Sequence, residues 1–248
     1  MAQNIHVCLS HAPSNLSFTV HRKYNTAIVN LLLRNGAKLN SIDSYGCTPL
    51  HEASMLGFDA IVSTMLNQGG GSLVQQTINI KSKKDSLTPL QIASICGHEA
   101  VVKQLIMHGA NVNVCNRSGE SPLHDVSSRG YANIAKLLLK ANPDLINIKC
   151  TTNHRTALHL AAERDQHTIT QLLIDHSIEY DVDNNIMTIR DLNGYTPKDL
   201  AIRCCSFSVA RLLSKYESSN EAKKRKRSNS TFDNKNINAP PNKRRKLG

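Results

Sequence analysis

The sequence predicts an all-α solenoid of stacked helix pairs, followed by a basic tail expected to be disordered. Three observations predict it. One tetrapeptide recurs, as Thr48-Pro-Leu-His51, Thr88-Pro-Leu-Gln91, Ser121-Pro-Leu-His124, Thr156-Ala-Leu-His159 and Thr196-Pro-Lys-Asp199, with first residues 40, 33, 35 and 40 positions apart. A sustained period of that size marks a chain built from one repeated unit. After each tetrapeptide comes an apolar stretch of helical spacing, such as IVSTML, VVKQLIMHGANVN and IAKLLLKANPDLIN. Beyond Tyr216 the apolar period stops and Ser, Asn, Lys, Arg and Pro take over, a composition that cannot bury enough surface to order itself.

Taken in order, residues 1–14 carry no pattern and are expected to form a flexible terminus. Residues 15–42 are read as a degenerate first unit. NTAIVNLLLRNGAKLN has the spacing of a second helix, whereas NLSFTVHRKY departs from the first-helix pattern, as a capping unit with one face in water does. Five clear units follow, over about 43–82, 83–115, 116–150, 151–190 and 191–216. In each, Thr or Ser is placed to cap a short helix, and Pro takes the first helical position, where no N–H is needed. Leu and a small residue (Ala53, Ala93, Val126, Ala161, Ala201) are expected to face the neighbouring helices. Gly57, Gly97 and Gly130 are expected to end the short helix in the left-handed conformation. A longer amphipathic helix completes the unit. One such pair cannot bury its apolar face alone, and stacking does. The last unit, TPKDLAIRCCSFSVARLLSKY, lacks both the His and the mid-unit Gly and reads as the C-terminal cap. QGGGSLVQQTINIKSKKDS (68–86) and DHSIEYDVDNNIMTIRD (175–191) interrupt the register and are expected to be inserted loops, the three glycines of the first being a flexible segment.

The T-P-L-H turn, the mid-unit Gly and the closing L-x-x-x-G-A-x-V-N resemble the ankyrin repeat family, over about 43–216. The resemblance implies a non-enzymatic protein-binding module whose partner meets one continuous concave surface. It also implies that His51, His124 and His159 hydrogen-bond to turn backbone and stitch adjacent units. Partner contacts in such proteins come from variable positions around the turn and before the mid-unit Gly. Carried onto this chain, the candidates are Tyr45, Met55, Asp85, Arg117, Glu120, Arg129, Asn153, Arg155, Arg164 and Tyr195. Tyr and Arg dominate interface hot spots, and the arginines of the later units suit an acidic or phosphorylated segment.

Several classes are disfavoured. The seven cysteines are scattered, odd in number and without a C-x-x-C pair, which suits reduced thiols rather than a disulfide framework or a zinc site. No stretch of about 18 apolar residues is present to span a membrane, and the N-terminus has no signal-peptide pattern. His51-Glu52 and His98-Glu99 are not followed by a second histidine at the spacing of a metalloprotease helix. No catalytic residues, metal ligands or cofactor are therefore expected, and the chain is expected to be a monomer.

The charge is unevenly placed. Residues 221–248 hold ten Lys/Arg against Glu221 and Asp233, so they carry +8 of the chain's formal +11. Two clusters, Lys223, Lys224, Arg225, Lys226, Arg227 and Lys243, Arg244, Arg245, Lys246, read as a bipartite nuclear-import signal that engages an import receptor. Ser228 and Ser230 beside the first cluster are candidate phosphorylation sites, since phosphate there would offset the basic charge. A secondary reading is a nucleic-acid arm binding through counterion release, although Phe232 is the tail's lone aromatic for stacking bases. Nuclear localisation, with shuttling through the cytoplasm, and a role in transcription or chromatin regulation are the expectations. The alternatives are a nucleic-acid-associated protein acting through its tail and an inhibitor that masks a transcription factor.

Overall fold

The computed structural model describes residues 26–68, 71–180 and 186–219, and among them helices alternate with turns and no strand is present. The expected flexible terminus (1–14), the first-helix part of the degenerate unit, the basic clusters and Ser228 and Ser230 lie outside the described residues. The chain enters with α1 (Thr26–Arg34), then α2 (Pro49–Leu56) and α3 (Asp59–Gln68), a short α4 (Gly71–Thr77), α5 (Pro89–Cys96) and α6 (Glu99–Met107). It continues through α7 (Pro122–Arg129), α8 (Ala132–Ala141), a 3-10 turn (Pro143–Asn147), α9 (Ala157–Glu163), α10 (His167–Glu179) and α11 (Pro197–Arg203), with a final helix α12 over 207–219.

Two layers result. The short helices α2, α5, α7, α9 and α11 pack side by side in an inner row, and α1, α3, α6, α8 and α10 form an outer row. The repeated tetrapeptide explains the inner row. Its Leu turns inward, leaving Leu50, Leu90, Leu123 and Leu158 at most 2% exposed. The small residue three places on lets the neighbouring helix approach, and Ala53, Ala93, Val126, Ala161 and Ala201 are all 0% exposed. Each buried Leu contributes roughly 1.5–3 kcal/mol relative to an exposed one, so the unit's stability lies chiefly in contacts with its neighbours.

Four features differ from the sequence expectations. The first insertion is not wholly loop: Leu73, Val74, Thr77 and Ile78 have helical spacing, α4 forms, and Val74 and Ile78 are 4% and 0% exposed. Gly71, expected to be flexible, is its first residue. The second insertion begins as extra length on α10, and the chain returns with Ile186 and Met187 buried. The apolar stretch of the third clear unit is divided, because Pro143 cannot continue α8. Asn142 accepts a bond from the N–H of Asp144 (3.0 Å) and opens the 3-10 turn instead. Finally, α12 runs to 219, past the boundary expected at 216, with Lys198 Nζ paired to Glu217 Oε2 at 2.7 Å.

Candidate functional site

The surface that could meet a partner is assembled by the turns between units. Each turn is closed by one backbone pair, Asp43 N–H to Cys47 O (3.0 Å), Asn116 N–H to Glu120 O (2.9 Å) or Asp191 N–H to Tyr195 O (2.9 Å), for example. The acid or amide side chain at its start folds inward. Asp43 Oδ1 accepts from the N–H groups of Tyr45 and Cys47 (2.9 and 2.8 Å), and Asn116 and Asp191 repeat the pattern. Neighbouring tips touch through single backbone bonds, Lys83 N–H to Tyr45 O, Thr151 N–H to Ser118 O and Leu192 N–H to Asn153 O, at 2.8–3.0 Å. Such contact leaves no room beside Gly46 and Gly119. Gly119 has φ +74°, and a Cβ there would lie 2.5 Å from the Thr151 nitrogen.

Behind the turns runs a ladder of buried imidazoles. Nε2 of His51 faces Leu87 O at 3.1 Å, Nε2 of His124 faces Arg155 O at 3.1 Å and Nε2 of His159 faces Tyr195 O at 3.2 Å. A carbonyl can only accept, so Nε2 carries the proton and donates. Nδ1 is then the acceptor, and it takes the backbone N–H and the hydroxyl of the capping Thr or Ser, at 3.0 and 2.8 Å for Thr48. Gln91 makes the same link with its amide, Nε2 to Glu120 O at 3.3 Å. Asp199 supplies the inward half alone, accepting from Thr196 N–H and hydroxyl. Burial lowers the pKa of all three histidines, that of His51 to about 4, against the opposing pull of the carbonyl each one faces. They are neutral structural links, as the resemblance implied.

The ten candidate contact residues fall into two groups. Asp85, Arg117, Arg129 and Arg164 are exposed, although Arg117 is partly committed, donating from Nη2 to Lys83 O and from Nε to Ser86 Oγ. Tyr45, Met55, Glu120, Asn153, Arg155 and Tyr195 are half-buried. Within that group Asn153 Oδ1 accepts from Arg155 N–H and Cys150 Sγ, holding its own turn. Arg155 bridges two acids, Nη1 to Glu163 Oε1 at 2.9 Å and Nε to Asp191 Oδ2 at 3.2 Å. Arg203 lies over the Tyr195 ring, 5.0 Å from its centroid, a cation–π contact. The candidates thus line successive units rather than converge on one point, and Arg129 and Arg164 are the candidate arginines without an ion pair or hydrogen bond among the described residues.

Two carboxyl groups outside the ten candidates also belong to the inner row. Glu52 and Asp125 follow the histidines of their tetrapeptides. Glu52 Oε2 and Asp125 Oδ2 are enclosed without a hydrogen-bond donor. Burial first, then the charge of Asp43, pushes Glu52 up to about 7. Asp125 rises well above the usual carboxylate range for the same reason, with Glu120 adding and Arg129 opposing. The signal that could have found them is an acid at a register position where Ile92 and Leu160 stand in neighbouring units. Among the described residues no group of His, Cys, Asp and Glu is arranged to hold a metal ion, and no helix is long and apolar enough to cross a membrane.

Comparison with known proteins adds the lineage of the repeat. A family model described as Ankyrin repeats (3 copies) matches residues 67–149 and 143–224, and one described as Ankyrin repeat matches 45–79. The chain is 30% identical over 160 residues to an ankyrin repeat protein of Fowlpox virus (strain NVSL), covering 62% of this chain and 45% of that protein. It is 27% identical over 192 residues to the transient receptor potential cation channel subfamily A member 1 of Homo sapiens, 76% of this chain and 16% of the channel. To the B-cell lymphoma 3 protein homolog of Mus musculus it is 33% identical over 99 residues, 40% of this chain and 21% of that protein. The chain therefore spans less than half the length of each of these relatives.

Proposed function

Because the chain belongs to the ankyrin repeat family, and its stacked repeats are a protein–protein interaction module, we propose that it works in the nucleus, holding a protein partner concerned with transcription or chromatin on the inner face of the repeats. The observation that carries the binding half is the imidazole and amide ladder, which fixes five successive units in one register so that side chains one repeat apart, such as Arg129 and Arg164, form a single continuous surface. Such a surface suits a partner of extended or helical shape, and its fixed register limits the ordering cost of binding. The nuclear half rests on the two basic clusters of residues 223–227 and 243–246. In this reading the repeats hold and the tail delivers, through an import receptor.

The test uses the whole chain. A fluorescent fusion is expected to concentrate in nuclei, and replacing the basic residues of both clusters by Ala is expected to return it to an even distribution. Nuclear accumulation unaffected by that change would overturn the address reading. Arg129→Ala with Arg164→Ala is expected to weaken capture of the partner by about tenfold or more while leaving localisation and the melting temperature unchanged. If the chain instead holds duplex DNA or RNA at about 150 mM salt, where weak electrostatic binding is largely lost, the tail is a nucleic-acid arm.

A further inference from the structure

Two acids on the inner helix row are folded without a donor. Glu52, the fourth residue of α2, is 6% exposed, and its Oε2 is enclosed with no partner. Asp125, the fourth residue of α7, keeps Oδ2 in the same condition. A second carboxylate acts on each, Asp43 on Glu52 and Glu120 on Asp125. Neither enclosed acid belongs to an ion pair among the described residues. The nearest cation on their helices is exposed Arg129, one turn beyond Asp125 and outside ion-pair distance. Leaving a carboxyl oxygen enclosed and unpaired carries a desolvation cost, which a basic side chain arriving from outside would relieve.

We infer that the carboxyl groups of Glu52 and Asp125 dock the chain's own basic tail, one Lys/Arg cluster at each. Charge complementarity selects the occupant: the tail carries ten Lys/Arg against two acids, whereas residues 1–220 carry a net charge of only +3. Distance fits as well. The two acids lie two repeats apart on helices α2 and α7 with α5 between them, and neighbouring packed helices are spaced by about 8–10 Å, so the acids are roughly 20 Å apart. The clusters are separated by the 15 residues 228–242, and a coil of that many residues has an end-to-end distance of about 19–23 Å. A linker whose natural span matches the separation of two sites gives the second contact its highest effective concentration. The docking rests on charge and geometry alone and holds whether or not the tail serves import. A tail held there is withheld from any receptor or nucleic acid until a partner for the inner face displaces it.

Zero-length carbodiimide coupling on the full chain, read by mass spectrometry, tests this directly. Lysines of 223–226 and 243–246 are expected to couple to Glu52 or Asp125, or to the adjacent Asp43 or Glu120. Glu52→Gln with Asp125→Asn is expected to cut the yield of tail-to-repeat links at least fivefold and to speed tryptic cleavage of the tail severalfold at low salt. Replacing Lys223, Lys224, Arg225, Lys226 and Arg227 by Ser is expected to lower severalfold the links made by Lys243 and Lys246, whose effective concentration depends on the first contact, without touching the repeats, which keeps the test valid should the acid variant fold poorly. Mixed isotope-labelled and unlabelled chains at micromolar concentration are expected to couple within one chain. Undiminished links in the acid variant, unchanged links of Lys243 and Lys246 in the tail variant, or links that form mainly between differently labelled chains overturn the proposal.

Discussion

Four residues other than glycine adopt positive φ: Ser86 (55°), His154 (57°), Asp165 (53°) and Cys205 (59°). They occupy two positions of the repeat. Ser86 and His154 stand two places before the capping Thr, where Gly46, Gly119 and Gly194 serve in the other units. Asp165 and Cys205 stand nine places after it, where Gly57, Gly97 and Gly130 serve. The backbone path is set by packing between units, and these side chains bear the strain, at about 1–3 kcal/mol each. His154→Gly and Cys205→Gly are accordingly expected to raise the denaturation midpoint by an amount worth about 0.5–1 kcal/mol with an unchanged slope. Asp165→Gly is expected to gain nothing, because its Oδ1 accepts from Ser208 Oγ and Val209 N–H at 2.7 and 3.1 Å. A chemical-denaturation series of the three variants checks both statements. The mid-unit glycines were legible from their spacing, whereas the tip position was hidden because its residue changes from unit to unit and only the backbone angle is shared.

At the scale of elements, the inner row was readable almost residue by residue, since the tetrapeptide specifies cap, first turn and buried Leu together. Helix α4 was not, because two glycines precede it, a third opens it, and its apolar stripe is a single turn long. Its place in the fold is secured from the neighbouring unit, with Gln75 Nε2 donating to His108 O at 3.0 Å and Asn79 Oδ1 accepting from Asn111 N–H at 2.8 Å. Val74→Ala is expected to cost about 1–2 kcal/mol, as a buried methyl pair does, and to expose amides of 71–78 to hydrogen exchange before the inner row opens. Equal protection of these amides and those of α5 after that substitution would show that α4 has no separate stability. The candidate contact residues were located by register, but their availability was not: Asn153 and Arg155 look like free recognition groups in the sequence and prove to be tied to Cys150, Glu163 and Asp191. Of these partners Asp191 belongs to the next unit, and a partner drawn from another unit leaves no trace in local spacing.

For the whole molecule, the buried titratable groups pull in opposite directions with pH. The folded state keeps His51, His124 and His159 neutral below their ordinary pKa, so their contribution is intact above about pH 6.5 and lost as pH falls, down to about 4 for His51. That loss is on the order of 3 kcal/mol for His51 alone. Glu52 and Asp125 have raised values in the folded state, so the stability linked to them is full below the ordinary carboxylate range and lost as pH rises, to about 7 for Glu52. The two sets offset one another between about pH 4.5 and 6.5. Thermal melts of the native chain are therefore expected to change little over that window and to fall steeply below it. Glu52→Gln with Asp125→Asn removes one side of the balance. That variant is expected to melt higher than the native chain at pH 8 and to lose stability steadily from pH 6.5 downward. A flat profile in the variant would sink the assignment.

The ladder that joins the units ends, at every rung, on a main-chain carbonyl: those of Leu87, Glu120, Arg155 and Tyr195. These four residues sit immediately before the capping Thr or Ser, at the turn side of the surface offered to partners. An aliphatic, an acid, a base and an aromatic side chain occupy the same structural post, since every amino acid brings the same oxygen. Cohesion and recognition thus draw on different atoms of one residue, which leaves the identity of the side chain free to change from unit to unit, and from one protein of this build to another, without loosening the stack.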